Sequence, residues 1–371
     1  MDSRGRAKAL AAAVAVCVAA GAAAMQASAS AQRWVIHGRG FGHGVGMSQY
    51  GAYGYAKHGR GYRSILKHYY RHAHLGHAKH AKIRVLLASG RSSIDFTGAR
   101  TACGKHLHRD RGYSFDLFRS RVRLLSARGR KIAACGHSGA AEGGSGIQVG
   151  GKGTYRGKLV ARATSDGLLV VNAVGLEDYV RGVIGNEMSP SWPSNALRAQ
   201  AVASRSFALA ATGGHGFDVY DDTRSQVYGG KSSEAWTTDR AARKTRGEIL
   251  RYHKRPITAF FFSTSGGRTE SVQYAFPGSE PEPYLKSVRD PYDGLSPYHK
   301  WTVRYSQREM ASKLSGLFNG RLKKIKVTKT GDSPRIVEAR VIGSRGSSRV
   351  TGGTLQGRLG LMSTWAKFRR R

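Results

Sequence analysis

Glu187 is the residue of this chain best placed to do acid–base chemistry. It lies in the run Leu176 to Ala211, LEDYVRGVIGNEMSPSWPSNALRAQAVASRSFALAA, after an apolar strand-like stretch at Gly167 to Val174 and before an alanine-rich segment. Partial burial beside Met188 and Trp192 would let such a carboxyl keep its proton near neutral pH, because desolvation penalises the charged form. Glu177 and Asp178 could supply a second carboxylate, but in LEDYV they suit a turn or a salt bridge better. Arg205, eighteen residues after Glu187, can hold either a substrate oxygen or a carboxylate in a structural ion pair.

Positioning Glu187 requires the alanine-rich segment to be a helix. Ser194 is a candidate N-cap after Pro193, and Leu197, Ala201, Ser204, Ala208 and Ala211 recur at spacings of three and four. That stripe of small residues suits close packing behind the acid. From Ile83, the segments IRVLLAS, YSFDLF and VRLLS read as strands separated by glycine and charged turns. Thr258 to Ser271, TAFFFSTSGGRTES, joins an apolar strand start to a hydroxyl-bearing turn, and a helix at Gln307 to Leu317 precedes strands at Lys324 to Thr330 and Arg335 to Ile342. The expected class is α+β: mixed β-rich layers, a long central helix following Glu187, and a glycine-rich segment packed near the active site.

That segment, residues 32 to 70, alternates Gly38, Gly40, Gly42, Gly44 and Gly46 with other residues, which lets backbone approach something closely. It lacks the Lys-Ser/Thr of a phosphate loop, which argues against nucleotide binding. Residues 71 to 80, RHAHLGHAKH, read as a solvated basic connector; a metal pair of His72 with His74, or His77 with His80, would lack a carboxylate or cysteine to complete it.

The chain of 371 residues is 40% hydrophobic, enough for a large core, and carries a formal net charge of +38. A field of that size seeks a polyanion, yet no helix-turn-helix, zinc finger or aromatic single-strand platform accompanies it. At the amino terminus, Arg4, Arg6 and Lys8 precede the apolar stretch Ala9 to Ala24 and the small-residue site Ala29-Ser30-Ala31. The pattern predicts a secretory signal peptide over residues 1–31, with an uncleaved anchor as the alternative. Cys17 would leave with it, and Cys103 and Cys135 are expected to form a disulfide in an oxidising exterior.

LEDYVRGVIGNEMSPSWPSNALRAQAVASRSFALA, SQVYGG, STSGGRTESV, YLKSV and GFGHGVGMSQYGA together resemble the stage II sporulation protein D family, which includes the amidase enhancers, from residue 34 to about 365. The resemblance implies a lytic transglycosylase that cleaves peptidoglycan strands and leaves an anhydro-muramic end, or else a non-catalytic enhancer of a separate cell-wall amidase. It places the catalytic glutamate on Glu187, the motif arginine on Arg205, and substrate-groove positions on Thr269, Tyr284 and Lys286. The family's zinc histidine and two cysteines would fall on His215, Tyr220 and Ser225, so no metal and no other cofactor is expected. The GFGHGVGMSQYGA motif, normally near the end of the family domain, here comes first. Residues 34 to 70 are therefore expected to fold back so that His43 and Gln49 approach Glu187. The implied organisation is a signal peptide (1–31), a glycine-rich segment and histidine-rich linker (32–80) and the family domain (81–371). The implied partners are peptidoglycan glycan strands and anionic wall polymers, without nucleic acid, for a secreted, wall-associated protein.

Overall fold

The apolar stretch after Asp166 becomes an interior strand of a seven-stranded sheet. Gly167–Gly175 pairs antiparallel with Lys82–Arg91 on one side and Lys158–Thr164 on the other, burying Leu168, Val170 and Val174. The computed structural model describes residues 33–78 and 81–371; the expected signal peptide and His80 lie outside the described residues. YSFDLF and VRLLS pair as a hairpin, Tyr113–Phe118 with Arg121–Ser126, inside a six-stranded sheet. Phe96, Phe115 and Leu124 fill its inner face. Cys103, just past a strand of the first sheet, is disulfide-bonded to Cys135 in a strand of the second. No helix among the described residues is long and apolar enough to cross a membrane.

Five helices matter for the site: α1 (Gln49–Lys57), α2 (Tyr62–Tyr69), α3 (Leu176–Glu187), α4 (Ser194–Ala210) and α5 (Trp236–Lys244). The sequence pattern predicts α4 but not α3, whose Gly182 and Gly185 break helical composition. Both glycines answer to packing. A Cβ on Gly182 would lie 2.6 Å from the Tyr228 ring, and one on Gly185 would lie 2.1 Å from the Ser233 carbonyl oxygen. Helix α4 is nearly enclosed, with 11 of its 17 residues buried, because its alanines let α1, α2, α3 and α5 approach closely. Ser194 is its first helical residue rather than its cap. Pro193 takes the cap position, and its carbonyl accepts the N–H groups of Ala196 at 2.9 Å and Leu197 at 3.3 Å.

The connector at 71–80 also departs from expectation, since His74–His77 is a strand paired with Glu248–Arg251.

The stretch expected as one domain from 81 to 371 holds two hydrophobic cores. The larger surrounds α4 and the two sheets. The smaller gathers Trp34, Ile36, Trp301, Met310, Val341 and Leu355, between a four-stranded and a three-stranded sheet. In the three-stranded sheet, the strand Arg33–Gly38 lies between Trp301–Ser306 and Ala366–Arg370, antiparallel to both. Arg33 N–H donates to the Arg371 carbonyl at 3.0 Å and Arg371 N–H to the Arg33 carbonyl at 2.9 Å, so the two ends of the described chain are neighbours.

From that strand the glycine-rich segment threads back into the larger unit. Phe41 and Met47 donate their N–H groups to the carbonyls of Thr264, at 2.8 Å, and Phe260, at 3.0 Å. Two glycines show what the threading demands. Gly44 (φ 92°) and Gly46 (φ 75°) occupy backbone regions that side chains avoid, and a Cβ would sit 2.7 Å from Arg335 Nε at the first and 2.0 Å from the Phe260 carbonyl oxygen at the second.

Candidate active site

Three separate elements bring their atoms to Glu187. It is the last residue of α3. Across from it begins α1, capped by Ser48, whose Oγ accepts the Gly51 N–H at 3.1 Å; this fixes Gln49 at the first helical position, and Gln49 Nε2 donates to Glu187 Oε2 at 3.2 Å. The third element is the loop of SQVYGG, where Val227 N–H donates to Glu187 Oε1 at 2.9 Å. That loop is itself pinned. Tyr179 Oη donates to Gln226 Oε1 at 2.9 Å, Tyr228 Oη donates to Asn172 Oδ1 at 2.7 Å, and Gly229 N–H reaches the Gly182 carbonyl at 3.1 Å.

Glu187 faces a cleft of about 400 Å³ whose wall is largely aromatic: Phe41, Phe207, Phe260, Phe262 and Phe276 line it with His43 and Gln49. Glu187 is the sole carboxylate among the lining residues. Burial holds its carboxyl above the usual carboxylate range, and the two donors, which favour the charged form, oppose this only in part. Its place at the C-terminal, negative end of a helix acts in the same direction as burial.

His43 shares the cleft but not the proton chemistry. Its Nδ1 accepts the Val45 N–H at 3.0 Å, which leaves Nε2–H to donate to the Phe261 carbonyl at 3.0 Å. Both nitrogens are thereby committed to backbone, and burial, with Arg335 adding to it, lowers the ring pKa to about 4. His43 is a neutral wall of the cleft. The expected return of residues 34 to 70 is present, with Gln49 as its direct contact to Glu187.

The other expected positions lie elsewhere. Arg205 is fully buried and makes a two-pronged ion pair with Glu177, Nε at 2.9 Å and Nη2 at 2.7 Å, while Thr245 Oγ1 and the Ala242 carbonyl accept two more of its N–H groups. Of the two readings open for it, this is the structural ion pair. Asp178 bonds Arg181, so both acids of LEDYV serve salt bridges. Thr269 is buried and pairs with Val288: its Oγ1 accepts the Val288 N–H at 2.8 Å. Tyr284 is buried with its ring 5.5 Å from that of Tyr252, and Lys286 is exposed. None of Arg205, Thr269, Tyr284 and Lys286 lines the Glu187 cleft. Tyr220 and Ser225, the positions expected to stand in place of zinc-binding cysteines, bond one another, Tyr220 N–H to Ser225 Oγ at 3.1 Å, and Ser225 lines the Glu187 cleft. The residue-level reading missed the Val227 N–H and the phenylalanine wall; SQVYGG and TAFFF were the signals, but neither reveals a backbone donor or a direction for a ring.

Residues 164–252 match the sequence model of the family described as Stage II sporulation protein, a stretch that spans the strand Gly167–Gly175, α3, Glu187 and α4. The chain is 34% identical over 223 residues to the Stage II sporulation protein D of Bacillus subtilis, covering 54% of this chain and 62% of that protein. It is 39% identical over 134 residues to the amidase enhancer of the same organism, covering 36% of this chain and 18% of the other. An uncharacterized protein of Brachyspira hyodysenteriae is 38% identical over 165 residues, 43% of this chain and 44% of its own length. The chain thus spans less than two thirds of each of these relatives.

Proposed function

The chain belongs to the stage II sporulation protein D family, and on that premise we propose that it acts at the bacterial cell wall, as a lytic transglycosylase in which Glu187 is both acid and base. The observation that carries the reading is a single carboxyl in an aromatic cleft, held by two neutral donors and raised by burial. An ordinary glycosidase needs two carboxyl groups flanking the bond, about 5–9.5 Å apart, and the cleft offers one. One group suffices if the substrate brings its own nucleophile. Protonated Glu187 gives its proton to the glycosidic oxygen as the bond from that oxygen to the anomeric carbon breaks. The resulting carboxylate then takes the proton of the muramic C6 hydroxyl as its oxygen bonds to the anomeric carbon. No water is consumed, one strand leaves with a free hydroxyl, the other with an anhydro ring, and Glu187 ends protonated. Gln49 and the Val227 N–H stabilise the carboxylate formed midway and hold its oxygens in place.

The test is to incubate the protein and Glu187→Gln with purified glycan freed of stem peptides and to look for anhydro-muramic ends by mass spectrometry. Product from the parent alone supports the reading. Product from both variants removes Glu187 from the mechanism, and product from neither favours the second reading, an enhancer of a separate hydrolase, for which the likeness to the amidase enhancer speaks.

A further inference from the structure

The large positive charge has a local concentration that the Glu187 cleft does not use. In the three-stranded sheet of the smaller core, side chains alternate between faces, and residues directly opposite one another share a face. Trp34, Ile36, Val303 and Phe368 point into the core. On the other face, Val35 stands between Arg304 and Arg369, and His37 between Thr302 and Lys367, while Arg33 meets Arg371 at the edge. Arg33, His37, Arg304, Lys367, Arg369 and Arg371 are all exposed, and this face carries no Asp or Glu. None of the six is in an ion pair among the described residues; elsewhere Arg84, Arg123, Arg156, Arg181 and Arg205 all have carboxylate partners. Lys367, Arg369 and Arg371, about 7 Å apart along one strand, and Arg33 and Arg371, about 5 Å apart across two, repel within the screening length of physiological salt, so the face is held at an electrostatic cost that a polyanion would relieve.

We propose that this sheet face is a docking surface for a linear phosphodiester polymer of the bacterial wall. Four of the six residues are arginines, whose planar fork suits phosphate oxygens. Nucleic acid shares the phosphodiester, but proteins that grip single strands add aromatic rings for the bases to stack on. The face has no Phe, Tyr or Trp, and its single ring, His37, is bonded to Thr302 Oγ1 at 3.1 Å, so it offers charge and no row of base platforms. The Cys103–Cys135 disulfide also fits an oxidising exterior, where wall polymer is the abundant polyanion.

The experiment titrates labelled polyglycerol phosphate into the full chain and into R304Q/K367Q/R369Q over a salt series. Three lost phosphate contacts should weaken binding at least about tenfold at low salt and make the slope of log K against log salt shallower by about 2. R121Q/R128Q/R130Q removes the same charge from exposed positions on the Arg121–Gly136 segment and should change binding by less than about threefold. With repulsion relieved, the triple glutamine variant should melt no lower than the parent. Equal losses in the two glutamine variants would show diffuse attraction and overturn the assignment, as would parent-like binding by the face variant. A single-stranded oligonucleotide of matched charge that binds tighter than the polymer would overturn it in favour of nucleic acid. Glu187→Gln should bind the polymer as the parent does, so failure of the cleavage reading leaves this test standing.

Discussion

Glu177 and Glu187 lie at opposite ends of α3, about 15 Å apart along its axis, and the fold treats them in opposite ways. Glu177 accepts two bonds from the buried Arg205 and a third from the Gly247 N–H at 3.0 Å. Around it Asp178, Arg181, Arg156, Glu234 and Asp239 form a network of alternating charge. Glu187 has amide donors only. With 61 Lys and Arg against 23 Asp and Glu, a carboxylate that meets no cation is the arrangement that needs building. The N-terminal end of the helix uses its acids to hold α3, α4 and α5 together; the C-terminal end leaves one acid without an ion-pair partner, so that it can retain a proton.

The largest expected effect is the loss of glycan cleavage in Glu187→Gln, by about 10²–10⁴-fold, read by mass spectrometry of the products, while the melting temperature stays near that of the parent. Glu177→Gln should do the reverse. It strands the buried Arg205 charge and should cost about 3 kcal/mol of stability, read by urea unfolding, with cleavage by the folded fraction unchanged. Gln49→Leu removes a donor that favours the Glu187 carboxylate. The pH at which the acid form is lost should therefore move upward, carrying the alkaline limb of the pH–rate profile with it, and kcat/KM should fall by about three- to tenfold. The smallest effect is on stability against pH. Because burial raises the folded-state pKa of Glu187, the folded parent binds more protons than the unfolded chain once pH exceeds the unfolded carboxyl value of about 4.3. Glu187→Gln should thus gain on the parent, by on the order of 1 kcal/mol or less, as pH rises from there, and lose the advantage in acid. A gain in acid instead would mean that Glu187 is held as a carboxylate, like Glu177.

What the sequence made legible follows from how local each signal is. Glu187 and α4 could be read because motif and composition are contiguous, and the cysteine pair because the described chain has no other cysteines to choose between. Helix α3 was hidden by Gly182 and Gly185, which are chosen for the neighbours Tyr228 and Ser233 and not for helix propensity. The partner of Arg205 could not be chosen either, since Glu177 is 28 residues away and Asp178 stands beside it. The second core was illegible for a similar reason: its central strand, Arg33–Gly38, finds partners only at Trp301–Ser306 and Ala366–Arg370. Order of motifs along the chain proved a poor guide to their places in space, and the displaced glycine-rich segment reaches Glu187 all the same.

The pairing of Arg33–Gly38 with Ala366–Arg370 has a consequence for the order in which the molecule can be assembled. A ribosome adding about 5–20 residues per second emits Trp34 and Ile36 roughly 15–65 s before the strand that completes their sheet. For all that time an apolar strand, which in the finished protein lies between two others, has both hydrogen-bonding edges open to any passing chain. Of the two cores, the smaller is therefore the later able to close, and the more dependent on whatever holds the nascent chain apart from its neighbours.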